Sequence, residues 1–147
     1  MTARWAEEDR PVSLLIDQDM PDGCQDAIEE AVSFWYAHGV HYLYASYVRH
    51  GHVAVQGLPR KGEIAVTAAA LSPGRLGETT LEWKRGEIVS AHITLAFCGD
   101  GVAANVASHE VGHALGLQHD SAFRNLMYPY SDGSGWQITP EQEEWVE

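Results

Sequence analysis

The chain has 147 residues and a formal net charge of −12, from 21 acidic against 9 basic side chains. That length fits one compact domain with a single hydrophobic core and no need of disulfide staples. No apolar run approaches the ~18 residues needed to cross a bilayer, and so acidic a surface disfavours nucleic acid and anionic membranes, whose phosphates need Lys and Arg partners.

The opening residues, MTARWAEEDRPV, turn acidic at once and have no apolar segment of the secretory-leader kind. This is expected of a chain not exported by the usual route, or of one whose leader lies outside this stretch, so the compartment is left unassigned. The acidic surface reads as a solubility feature. Steering of basic substrates would need the acids gathered near a cleft. There is no internal repeat, low-complexity tract or charged linker.

In chain order, residues 12–16 read as a buried strand. Asp22 offers a helix N-cap with Gln25 as its capping-box partner. Cys24, Ala27, Ile28, Ala31, Phe34 and Trp35 recur at helical spacing, and Gly39 closes that helix. Cys24 lies on the apolar face, which favours a buried free thiol over a bridge to Cys98, the other cysteine. Residues 42–48 and 63–69 are strand candidates. Residues 84–87, Lys-Arg-Gly-Glu, read as a hairpin turn. After it, Val89, Ala91, Ile93, Leu95 and Phe97 alternate with Ser90, His92, Thr94 and Ala96, a strand pattern. A second helix is expected from near Val102 to Gly116. Thr139 followed by Pro140 marks the start of a short last helix. This order implies a mixed α/β domain with a twisted sheet.

The chemistry is concentrated in residues 109–119, HEVGHALGLQH. His109 and His113 are four apart on the second helix, so both imidazoles lie on one face and can hold one zinc ion. A straight helix cannot easily bring up a third ligand. Gly116 can leave the helix in a left-handed conformation, letting the chain turn back so that His119 reaches the metal. Three protein ligands leave a coordination position open, the mark of a catalytic rather than a structural site. Glu110 does not ligate in this reading. It faces the open position as general base and then acid, while the metal acidifies water and polarises the substrate carbonyl.

These residues resemble the HExxHxxGxxH signature of the metzincin metallopeptidases, which is followed by a Met-turn. Asn125-Leu126-Met127-Tyr128-Pro129 is similar to such a turn, with Met127 eight residues past His119. The LMYP turn and the stretch LGETTLEWKRGEIVSAHITL, 76–95, look most like the matrixin branch. The resemblance implies an α/β (α+β) zincin-like fold: a twisted, mixed five-stranded sheet, two long helices and a short C-terminal helix. It implies one catalytic domain over 1–147, with an upper subdomain (about 1–116) and a lower one (about 117–147). It also implies that Leu76, Gly77, Glu78, Thr79, Thr80 and Leu81 bind substrate backbone by strand addition. Pro129 and Tyr130 would wall the S1′ pocket, and Met127 would underlie the zinc. Asp120 would support the site through hydrogen bonds, or cap its own loop.

There are departures from that pattern. No cysteine-switch sequence is present, and the structural-zinc motif of vertebrate matrixins is not matched. His50, His52 and His92 read as solvated histidines rather than a second metal site. Pro129 stands where a tyrosine ligand of the astacin kind would be. The chain is thus expected to be a monomeric zinc endopeptidase with one Zn²⁺ and peptide or protein substrates. The alternatives are a zinc-stabilised binding module without turnover and a hydrolase of non-protein amides.

Overall fold

The computed structural model describes residues 3–49, 59–99, 101–130 and 133–147. Strand β1 (Val12–Asp17) and strand β3 (Glu63–Ala68) are its most apolar strands, each with an unbroken run of at least three buried residues. They lie next to each other inside a five-stranded sheet of order β2-β1-β3-β5-β4, with β2 (Leu43–Val48), β4 (Gly77–Lys84) and β5 (Glu87–Leu95) completing it. The β1·β2, β1·β3 and β3·β5 pairs are parallel, and β4 pairs antiparallel with β5 at the edge. Strands buried on both faces need near-continuous apolar runs, which explains why β1 and β3 show so little alternation.

Helix α1 (Asp22–Ala37) buries Cys24, Ala27, Ile28, Ala31 and Trp35, with Phe34 half-buried beside them. Its start differs from expectation. Pro21 is the cap residue and Asp22 already lies inside the helix, making no capping hydrogen bond. Gln25 instead reaches back from its amide to the carbonyls of Gln18 and Met20, both at 2.9 Å. The far end is as expected. Gly39 has φ +94°, and the N–H groups of Gly39 and Val40 donate to Tyr36 and Trp35 in a Schellman arrangement.

The cysteine expectation is corrected. Cys24 and Cys98 form a disulfide, their Cα atoms 4.6 Å apart. The apolar face that suggested a free thiol is also the face packed on the chain leaving β5, a proximity that periodicity does not encode.

Arg85 and Gly86 both have positive φ, 56° and 79°, giving the two-residue primed turn that suits strand twist. The strand after it departs from plain alternation. Glu82 faces Ser90 while Trp83 faces Ile88, so Val89 is the extra residue of a β-bulge. The bulge sends Ile88 into the core in place of Val89, and the expected alternation resumes at Ala91, Ile93 and Leu95. Phe97 lies beyond the strand and is partly exposed.

Helix α2 (Ala103–Ala114) is buried along nearly its whole length. Trp35 and Trp5 hold it from two sides, their indole N–H groups donating to Ser108 and Ala114 carbonyls at 2.9 Å. Helix α3 (Pro140–Val146) begins with the expected Thr139 cap, completed by Gln142 as a reciprocal capping box. One continuous apolar cluster unites the sheet, α1 and α2 with Leu126, Met127 and Val146.

Candidate active site

Helix α2 carries His109 and His113 one turn apart and ends in a second Schellman arrangement. Gly116 (φ +99°) donates to His113 and Leu117 donates to Gly112. The Ala3 carbonyl lies so close over Gly116 that a Cβ has no room there. Two constraints therefore require glycine at this turn. The reversal brings His119 back, and one ligand atom from each of the three histidines lies within 4.8 Å of the others.

The tautomers follow from the partners. His109 Nδ1 sits 2.7 Å from the Leu126 carbonyl and His113 Nδ1 2.7 Å from that of Leu117. A carbonyl only accepts, so each Nδ1 carries the proton and each Nε2 keeps its lone pair. Burial lowers the pKa of all three histidines, that of His113 to about 4, so they are neutral as metal binding requires. The donor set suits zinc: three neutral imidazoles, two fixed by backbone carbonyls.

Glu110 is 6% exposed. The Thr79 hydroxyl lies 2.7 Å from Glu110 Oε1 and 3.0 Å from its main-chain oxygen. Gly77 closes the other side, since a Cβ there would stand 2.8 Å from Glu110 Cγ and 3.0 Å from Oε2. Burial pushes the Glu110 carboxyl up to about 7, against the Thr79 hydrogen bond and the Arg75 charge, which pull it down. A carboxyl in that range can both take and give a proton near neutrality.

Met127 is fully buried, and its backbone is tied on both sides. Its N–H donates to Asn125 Oδ1 at 2.8 Å, and its carbonyl accepts from the Asp120 N–H at 2.9 Å. The Asp120 carboxylate accepts from the Ala122 N–H, capping its own loop. Support for Met127 thus comes from the Asp120 backbone, while its side chain serves the loop. Sequence reasoning placed Asn125 in the turn but missed its bonding role, and missed Gln142. Their amides pair at 2.8 and 3.1 Å, joining the α3 capping box to the turn at Met127. The capping-box spacing was the available signal for Gln142.

A cleft of ≈ 890 Å³ opens over the histidines. Leu76, Gly77, Thr79, Leu81, Pro129 and Tyr130 line it with His109, Glu110, His113, Gly116 and His119. Glu78 and Thr80 do not line it, because side chains alternate along β4. The turn at 72–75, Val106, Leu117 and Gln118 also line it and were not anticipated. Among these lining residues Glu110 is the sole acid, so the acidic surface is not focused on the cleft.

The sequence pattern of the matrixin family matches residues 44–143. The chain belongs to the matrixin family. Matrix metalloproteinase-23 of Bos taurus and that of Homo sapiens are each 34% identical to it over 70 residues. That of Rattus norvegicus is 33% identical over the same length. Each alignment covers 48% of this chain and 15% of the relative, so the chain spans about 15% of the length of these curated relatives.

The matrixin fold carries over as a mixed sheet with three helices. Among the described residues, His109, His113 and His119 are the one group that could hold a metal ion. His92 bonds the Thr67 hydroxyl at 2.9 Å on adjacent strands. His50 and His52 lie outside the described residues.

Proposed function

We propose that this matrixin is a zinc-dependent endopeptidase, with His109, His113 and His119 as ligands and Glu110 as the proton carrier. The observation that carries the reading is Glu110, buried but opening on the cleft and immobilised by Thr79 and Gly77, directly beside the three-histidine cluster. Zinc bound there supplies a Lewis acid that lowers the pKa of water towards ~7 and polarises a carbonyl.

Glu110 accepts the proton released as water attacks the scissile carbonyl carbon. It returns that proton to the amide nitrogen as the C–N bond breaks, and with the second water proton also passed to the amine the products are a carboxylate and an ammonium. Strand β4 ends the sheet order, so its outer edge has no strand partner among the described residues. An extended peptide adding to that edge would pair with the outward-facing backbone groups within 76–81 and lie along the cleft. Pro129 and Tyr130 would flank the side chain that follows the cleaved bond.

The test is incubation of the zinc-loaded protein with unfolded proteins, with and without a chelator. Cleavage that the chelator abolishes and added zinc restores is expected. No cleavage over long incubation would favour a binding module without turnover, and cleavage confined to non-protein amides would correct the substrate class.

A further inference from the structure

We propose that Arg75 is a specificity-determining residue that gives the cleft a preference for a substrate carboxylate, from an Asp or Glu side chain or from a peptide C-terminus. This deepens the endopeptidase reading and rests on it for the substrate being a peptide.

Arg75 closes a tight turn, its N–H donating to the Ser72 carbonyl at 2.9 Å, with Gly74 at φ +83°. The turn fixes the Arg75 backbone immediately before β4, where Leu76 and Gly77 begin the cleft wall. Among the lining residues Arg75 is the only lysine or arginine. The residues of β4 and its approach that line that wall, Leu76, Gly77, Thr79 and Leu81, carry no charge. In a chain of net charge −12, an incoming carboxylate is repelled by most of the surface and attracted at this point.

The guanidinium is available for the task. Its side chain is 57% exposed, and the ion pair it makes is with Glu78, the two atoms 4.0 Å apart. So long a pair between exposed groups contributes little. The fork of N–H donors matches a carboxylate in bidentate fashion, so a substrate carboxylate with better geometry displaces Glu78.

The test uses three peptides of one apolar sequence: a neutral amidated form, the same with a free C-terminal carboxylate, and an amidated form with an internal Gln changed to Glu. Both kcat/KM and binding anisotropy are measured with the zinc-loaded protein. At least one carboxylate form is expected to be favoured about 5-fold over the neutral peptide, and the arm that shows it identifies the source. Arg75→Lys, which keeps the charge but not the fork, should retain only part of the preference, and Arg75→Gln should bring the ratio to about one. Equal treatment of all three peptides by the wild type overturns the proposal, as does a preference that survives in Arg75→Gln or an absence of any binding. If peptides bind but none is cleaved, the endopeptidase reading fails, while the binding ratios still decide the role of Arg75.

Discussion

The sulfur of Met127 lies against the backbone of Gly112, so closely that a β-carbon on Gly112 would stand 2.6 Å from it. Gly112 is the residue before His113, and Trp35 presses on the same spot, 3.1 Å from the same β-carbon position. The contact joins the ligand-bearing helix to the turn beneath it.

Gly112→Ala is therefore expected to destabilise the protein by about 1–3 kcal/mol through overpacking and to weaken zinc binding by displacing His113. Met127→Leu, close in volume, should cost under about 1.5 kcal/mol, whereas Met127→Ala should cost about 2–5 kcal/mol through the cavity it leaves. Denaturant unfolding and zinc titration check the series. Equal stability of Gly112→Ala and wild type would show that the turn yields to the added methyl.

Thr79 is expected to act through Glu110. Thr79→Val removes the hydroxyl that holds Oε1 and should lower kcat about 10-fold, with less effect on KM. Because that hydrogen bond pulls the Glu110 pKa down, its loss should move the acid limb of the pH–rate profile upward. Thr79→Ser should restore both. An unmoved acid limb in Thr79→Val would reduce Thr79 to a packing role.

The Cys24–Cys98 bridge closes a sequence separation of 74 residues. Its reduction should cost up to about 4.5 kcal/mol by the loop-entropy relation. Thiol counting on unfolded protein should find no free thiol before reduction and two after. Two thiols without reductant would contradict the pairing.

Metal-free protein should show a specific acid sensitivity. The pKa of His113 falls from 6.5 unfolded to about 4 folded. The unfolded chain binds more protons between those values, so this contribution is complete above 6.5 and is lost as pH falls towards 4. Glu110 runs oppositely, since its raised pKa stabilises the fold below 4.5 and that contribution is lost as pH rises through about 7. His113→Gln deletes only the first contribution. The melting temperature of that variant relative to wild type, both metal-free, should rise as pH drops from 6.5 to 4. A constant difference across that range would contradict the assignment.

Much of the site was legible because its information is local. His109, Glu110, His113, Gly116 and His119 fall within one helix and the turn that ends it, where spacing translates directly into geometry. The Thr139 cap followed by Pro140 and the turn at Arg85–Gly86 were legible for the same reason. The features that escaped depend on distant chain segments. The cysteines meet only because α1 packs where β5 ends, and periodicity alone would put Val89 in the core where the bulge puts Ile88. Arg75 joined the cleft unannounced, since a turn between two strands reveals its function only once the strands are paired. Thr79 and Gly77 were expected at the edge strand, but their grip on Glu110 needed α2 set against β4.

The most direct test of the account is zinc content measured together with peptide cleavage in Glu110→Gln. The account predicts about one zinc per chain, held as in wild type by three histidines, with cleavage nearly abolished. Wild-type cleavage by this variant with zinc bound would contradict the central role of Glu110.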